Sequence, residues 1–271
     1  MLVSVERNVK TPGRGRRSRL PGRLGLAAIV PLVCLALSTC ATQTTRRDEL
    51  CPYRGWEAAR AAPGERELQV LGSAKKLLGI KYGAKGAVNG RQFTFDCSGT
   101  VCAIYYRLGI DLAKDFARYP GNASNRLYLS LKDRGVIHYD RYPRIGDIIF
   151  WDNTYDANGN GDRTDDLRSH TGMVVGVDDD GTIHYIHASV LRGVVVEVMN
   201  LMRPRDAYDG QGKRINSGMA IATVPGGPKP AKELAGDTFQ SFGDALKVEA
   251  DYQVDSGGKA AAAPTAFRQA R

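Results

Sequence analysis

The chain has few of the residues that build metal and redox sites. Its 271 residues include five cysteines and four histidines. The cysteines form no Cys-x-x-Cys pair, so the sequence does not support a zinc ribbon or a thioredoxin-type redox centre. A His-Glu-x-x-His helix is also missing, and strand alternation would turn His184 and His187 to opposite faces. A catalytic zinc ion is therefore not expected.

The N-terminal segment is basic and then apolar, but its apolar run is too short to span a bilayer. Residues 1–39 hold seven Lys and Arg residues against the single acid Glu6, which accounts for +6 of the formal net charge of +9. Residues 24–37 are apolar and include Pro31, whereas a spanning helix needs roughly 20 apolar residues. This layout predicts a secretory signal peptide over residues 1–39. The charge that remains is too small to indicate a nucleic-acid partner.

The segment 37–40, Leu-Ser-Thr-Cys, ends the apolar run. It resembles the lipobox of bacterial lipoproteins, although Thr39 replaces the usual Gly, Ala or Ser. The resemblance predicts that Cys40 is lipidated and anchors an exported, periplasmic or cell-envelope protein to the membrane. An ordinary cleaved signal followed by an incidental cysteine remains the alternative. Cys51, Cys97 and Cys102 would then be left, and an odd number of thiols indicates a reactive one, with a Cys51–Cys102 disulfide as an open option.

The remaining chain divides into a tether, a single domain and a tail. Residues 40–64 are polar and turn-rich, which predicts a tether, and residues 225–271 are rich in Pro, Gly and Ala, which predicts a weakly ordered tail. The domain between them, residues 65–224, is expected to be monomeric. Its apolar periodicity predicts helices over 65–78 and from Cys97 to Gly109, and strands over 145–151, 173–177, 182–187 and 194–199. Helices followed by an antiparallel meander predict an α+β fold.

Cys97 is the candidate nucleophile. A thiol attacks as its thiolate, so a hydrolytic cysteine needs a lowered pKa and a base. The run Asp96-Cys97-Ser98-Gly99 places the sulfur at the first turn of a predicted helix, where unpaired N–H groups and the helix dipole favour negative charge. A buried core thiol is the alternative interpretation of a single cysteine at this position.

Two histidines are expected to meet near this cysteine. His170 opens one predicted strand and His187 closes the next, and Asp180-Gly181 between them is a hairpin turn signal. Pairing about that turn brings the outer ends of the two strands together. One imidazole can then act as the general base, while the other fixes its tautomer. His138 and His184 are interpreted as structural or surface residues.

Four segments in order, residues 95–101, 146–151, 169–174 and 186–189, resemble the motifs of NlpC-type cell-wall peptidases. The resemblance covers about residues 65–224. It implies a papain-like fold in which N-terminal helices carry the cysteine and an antiparallel sheet carries the histidines. It also implies a triad of Cys97, His170 and His187, with no cofactor required.

The same resemblance implies the substrate: stem peptides of peptidoglycan, cut between D-glutamate and the diamino acid. Asp96, Ser98 and Tyr82 would line the pocket for the free amine of the stem. The chain departs from the family pattern at Ile80, where a Tyr is usual, and in a longer loop before the cysteine. A wall-binding lipoprotein without activity, and an amidase or acyltransferase with the same triad, remain alternatives.

The segment from Asp156 to Asp166 resembles the start of an EF-hand calcium loop. Its oxygen donors recur at alternate positions, Asp156, Asn158, Asn160 and Asp162, with Gly161 at the sixth. The twelfth position is Leu167 rather than the bidentate Glu of that motif. The segment therefore predicts either a structural calcium site or a solvated Asn-Gly loop.

Overall fold

The structure is a computed structural model that describes residues 62–156, 159–219 and 233–254. The predicted signal peptide, Cys40, Cys51, nearly all of the tether and Asn158 lie outside these residues. The helices are α1 (Glu65–Lys75), α2 (Cys97–Tyr106), α3 (Ala123–Asp133) and α4 (Ala235–Thr238), with 3₁₀ helices at Phe116–Arg118 and Leu246–Tyr252. The strands are β1 (Lys85–Val88), β2 (Arg91–Thr94), β3 (Ile137–His138), β4 (Ile148–Trp151), β5 (His170–Val177), β6 (Thr182–Ser189), β7 (Gly193–Asn200) and β8 (Phe239–Gly243).

The described strands confirm a mixed α+β architecture with antiparallel sheets. Six strands form one sheet in the order β3-β8-β4-β5-β6-β7, and every neighbouring pair is antiparallel. β5 and β6 form the predicted hairpin, in which the Asp178 N–H donates to the Thr182 carbonyl at 2.8 Å and Gly181 has a φ of 79°. A left-handed φ of this kind favours glycine, so the Asp180-Gly181 signal identified the turn correctly.

The prediction that residues 225–271 form a weakly ordered tail is wrong for its middle part. Strand β8 lies inside the sheet, between β3 and β4, and its Phe242 side chain is fully buried. The backbone carbonyl of Ala235 also accepts a hydrogen bond from Trp151 Nε1 at 2.9 Å. The five residues of β8 follow a Pro- and Gly-rich segment, so their strand was not recognised in the sequence. The domain therefore extends beyond residue 224 to at least residue 254.

The segment between α1 and α2 contains a second small sheet. β1 and β2 pair as an antiparallel hairpin whose turn is Asn89-Gly90, with φ angles of 47° and 81°. Two consecutive left-handed residues define the tight turn that Asn-Gly favours. The hairpin leads directly into α2, because β2 ends at Thr94 and α2 begins at Cys97.

The core lies on both faces of the large sheet. On one face, α1, α2 and α3 pack against side chains such as Phe150, Met173 and Ile186; the opposite face buries Trp151 and Tyr185. α2 is buried along nearly its whole length, which gives the first turn of this helix a fixed position against β5 and β6. Among the described residues, no helix is long and apolar enough to cross a membrane.

Candidate active site

Cys97 is the first residue of α2, at the place that the sequence predicted. Asp96 caps the helix: its Oδ1 accepts hydrogen bonds from the Gly99 N–H at 2.7 Å and from the Ser98 hydroxyl at 3.0 Å. A Cβ at Gly99 would lie 1.9 Å from the Thr94 carbonyl oxygen. Glycine is therefore required here by the approach of the chain's own backbone, and the four-residue motif holds the cysteine at the helix start.

The thiol of Cys97 is not ionised in the resting site, contrary to the sequence-based expectation. Its Sγ lies 3.5 Å from Oγ of Ser124, a residue of α3. Burial raises the pKa of the thiol, and the Asp96 charge raises it further, whereas hydrogen bonds with Ser124 and with the backbone of Thr171 and Ser98 lower it. The prediction of a lowered pKa is wrong, because desolvation and a neighbouring carboxylate outweigh the hydrogen bonds that favour the thiolate.

His170 and His187 lie together at the ends of their strands, as the hairpin predicted. His170 Nε2 is 2.8 Å from His187 Nδ1, and the two rings are nearly perpendicular. Burial, followed by the charge of His187, holds the pKa of His170 well below its usual value. Burial, followed by the charge of Arg192, lowers the pKa of His187 to about 3. Both imidazoles are therefore neutral near neutral pH.

The sulfur lies against the start of β5, the strand that begins with His170. The Cys97 thiol interacts with the backbone of Thr171, the residue directly after His170. The His170 ring packs against Trp151, with ring centroids 5.6 Å apart. Because Nε2 of His170 faces His187, Nδ1 is the ring nitrogen that this contact leaves unused.

Two partly exposed tyrosines accompany the cysteine. Tyr82, which the resemblance assigned to substrate binding, is 40% exposed, and Tyr155 is 38% exposed. Burial and then the charges of Cys97 and Asp96 raise the pKa of Tyr82 to about 12, and burial followed by the charge of Cys97 also raises the pKa of Tyr155. Both phenols thus lie close enough to interact with the thiol. Tyr155 was not among the predicted site residues; it directly precedes the calcium-like segment that begins at Asp156.

Sequence analysis also missed Ser124 and Glu197. Ser124 follows the helix cap Asn122, whose side chain accepts from the Asn125 N–H at 2.8 Å, so a capping signal was present. Glu197 is a charged residue in the middle of the otherwise apolar segment 194–199, and its side chain lies 3.3 Å from His187. A buried carboxylate in an otherwise apolar strand is itself an indication of a polar partner.

The other two histidines have structural partners, in agreement with the interpretation from sequence. His138 Nε2 lies 3.3 Å from Asp147, and its ring stacks on Phe242. His184 Nε2 lies 2.9 Å from Asp178 Oδ1. Cys102 is a free, buried thiol whose pKa is raised to about 12, mainly by burial. The optional Cys51–Cys102 disulfide stays open, because Cys51 lies outside the described residues.

In the calcium-like loop, the carboxylates contact the loop itself. Asp156 accepts hydrogen bonds from the backbone N–H groups of Gly159 and Gly161, and Asp162 accepts from both the N–H and the hydroxyl of Thr164. In the described part of the chain, which excludes Asn158, no group of three or more His, Cys, Asp or Glu side chains could hold a metal ion. The calcium site with Asn160 as a further ligand stays a prediction.

Comparison of the chain with protein-family models, with curated proteins and with solved structures finds no match. The resemblance to NlpC-type peptidases therefore depends on the four sequence motifs.

Proposed function

We propose that the chain is an exported cysteine endopeptidase with a papain-like, NlpC-type fold that hydrolyses the stem peptides of bacterial peptidoglycan. Cys97 is the nucleophile, His170 the general base and His187 the residue that orients the base. The observation that carries the proposal is the placement of three elements: the sulfur lies against the backbone beside His170, and the His170 ring is hydrogen-bonded to His187 at 2.8 Å.

The protonation states favour a mechanism that starts from neutral groups. As Sγ of Cys97 forms a bond to the carbonyl carbon of the substrate, its proton passes to Nδ1 of His170. The resulting imidazolium then gives that proton to the departing amine nitrogen, the C–N bond breaks, and a thioester remains on Cys97. Water then attacks the thioester carbon while His170 accepts a proton from it. The C–S bond breaks, the acid is released, and the imidazolium returns its proton to the sulfur to restore the thiol.

Recognition of a free amine would use the residues around the helix cap. Both described hydrogen bonds of the Asp96 carboxylate use Oδ1, and in this proposal Oδ2 accepts a hydrogen bond from a substrate ammonium. Tyr82 exposes two fifths of its surface beside this carboxylate. This arrangement fits the stem peptide's terminal amine, with the bond between D-glutamate and the diamino acid at Cys97. No cofactor takes part, and lipidation at Cys40 would hold the monomer at the membrane that faces its substrate.

Purified protein incubated with muropeptides, with products identified by mass spectrometry, tests the proposal. We expect one new product pair from the wild type, and loss of at least about 1,000-fold in rate for Cys97→Ala and for His170→Ala, with a milder loss for His187→Ala. Cys102→Ala is the matched control, since it removes the other described thiol from the same helix, and it should keep activity.

Equal turnover in Cys97→Ala would overturn the proposal. Binding of muropeptides without cleavage by the wild type would instead support the wall-binding alternative. The masses of the products separate a peptidase from an amidase or an acyltransferase, because they identify the bond that is broken and the group that receives the acyl chain.

A further inference from the structure

Glu197 is a carboxylate buried in the centre of strand β7. Glu197 is only 4% exposed, and both of its neighbours in the strand, Val196 and Val198, are apolar. An ionised carboxylate loses its hydration on burial and is retained only where hydrogen bonds or opposite charge replace the water. The partners of Glu197 should therefore reveal why it is present.

Three side chains converge on this carboxylate. Tyr185, its direct cross-strand partner, donates its hydroxyl to Oε2 at 3.2 Å. His187, two residues further along β6 and on the same face, places Nε2 3.3 Å from the same oxygen. Arg192, from the turn between β6 and β7, forms an ion pair with Oε1. The buried Nε2 atom of His187 forms no hydrogen bond of full geometry among the described residues, and the Glu197 carboxylate is the acceptor that lies beside it.

The contact between Glu197 and His187 determines where the hydrogen atoms of both imidazoles lie. An ionised carboxylate only accepts hydrogen bonds, so Nε2 of a neutral His187 must carry the hydrogen. Nδ1 of His187 is then an acceptor, and Nε2 of His170, 2.8 Å away, must donate to it. This leaves Nδ1 of His170 without a hydrogen, which is the state that can accept the thiol proton.

We propose that Glu197 is a positioning residue that sets the tautomers of His187 and His170 and thereby makes His170 a base. This inference rests on the proposed thiol hydrolase function of the same site. Without Glu197, the two rings can exchange roles: His187 Nδ1 donates to His170 Nε2, and the hydrogen on His170 moves to Nδ1, which then cannot accept a proton.

Arg192 explains how a carboxylate can do this without protonating the histidine. A buried carboxylate alone would raise the pKa of His187, but the Arg192 guanidinium neutralises it and contributes to the lowered pKa of His187. The ion pair thus offers a hydrogen-bond acceptor with little net charge. When His170 becomes an imidazolium during the reaction, the chain of donors from His170 through His187 ends on this acceptor.

Nitrogen-15 NMR of histidine-labelled protein tests the assignment without turnover. In the wild type we expect the hydrogen on Nε2 of both His170 and His187. Glu197→Met, which removes the acceptor at similar length, should move the hydrogen of His170 to Nδ1 and lower kcat by about 100-fold with KM changed less than about 3-fold. Glu197→Gln keeps an acceptor oxygen and should retain the wild-type tautomers.

The matched controls are Glu249→Met and Glu249→Gln. Glu249 also pairs with an arginine, Arg66, but it lies near the surface and away from the histidines, so both variants should behave as the wild type. The opposite tautomers in the wild type would overturn the proposal even if Glu197→Met does not fold. A folded Glu197→Met variant with the tautomers and the kcat of the wild type would also overturn it. If muropeptides are not cleaved at all while the tautomers shift, the proposed function fails and the positioning role remains.

Discussion

His170 Nε2 and His187 Nδ1 lie 2.8 Å apart although 17 residues separate them in the chain. Because burial keeps both pKa values low, one ring donates and the other accepts, and neither carries a charge at neutral pH. The nearby thiol is also neutral, since burial and Asp96 raise its pKa. The candidate site therefore holds no thiolate–imidazolium pair at neutral pH, which has consequences for the reactivity of the thiol and for the stability of the fold.

The reaction of Cys97 with iodoacetamide should increase with pH and level off only above pH 8.5, the ordinary pKa of a free thiol. The reason is the raised pKa of the thiol, which leaves a smaller thiolate fraction at pH 7 than in a free cysteine. Asp96→Asn should shift the midpoint to lower pH, because it removes a charge that disfavours the thiolate. Alkylation is measured by mass spectrometry in a Cys102→Ala background, and a plateau below pH 7 would contradict the expectation.

Acid should destabilise the fold through His187. Its folded pKa is about 3, below the value of about 6.5 for an unfolded histidine, so the unfolded state binds the proton first as the pH falls. The contribution to stability is complete above pH 6.5 and is lost between pH 6.5 and 3. From pH 7 to pH 5 this loss amounts to about 2 kcal/mol.

Urea denaturation at pH 7, 6 and 5 measures this dependence. His187→Gln should flatten it by that amount, because glutamine does not titrate. If the free energies of unfolding of wild type and variant fall in parallel with pH, the lowered pKa of His187 is not the cause.

The local part of the site could be predicted from the sequence. The helix start at Cys97 follows from the Asp96 cap and Ser98-Gly99, and the histidine pair follows from strand alternation about the Asp180-Gly181 turn. These signals span a few residues or one hairpin, so the local sequence is enough to predict them.

The remaining part depends on contacts between distant segments. Ser124 reaches the sulfur from another helix, and the raised pKa of the thiol reflects burial that only the assembled domain produces. β8 was missed because five residues after a Pro- and Gly-rich stretch carry too little pattern to identify a strand. Glu197 shows its role only when β6 and β7 are paired, since its partner His187 lies on the neighbouring strand.

Replacing Gly99 by alanine should destabilise the protein by about 3 kcal/mol or more. The new Cβ would lie 1.9 Å from the Thr94 carbonyl oxygen, and that backbone atom has little freedom to move. Gly72→Ala is the matched control: Gly72 lies in α1, and a Cβ there would have no atom within 4 Å. It should stabilise the protein by up to about 1 kcal/mol through helix propensity. Thermal unfolding compares the two, and similar melting temperatures would contradict this account of the motif.

Removal of residues 235–271 should prevent folding, whereas a chain that ends at residue 254 should fold. The shorter chain loses β8, which is the partner strand of β3 and one of the two partner strands of β4. It also loses the buried side chains of Phe242 and Tyr252, each of which would cost about 3–5 kcal/mol on truncation to alanine. Their sum is comparable to the whole stability of an ordinary domain. Circular dichroism and sedimentation of the two truncated chains decide the matter, and a folded, monomeric chain ending at residue 234 would show that β8 is dispensable.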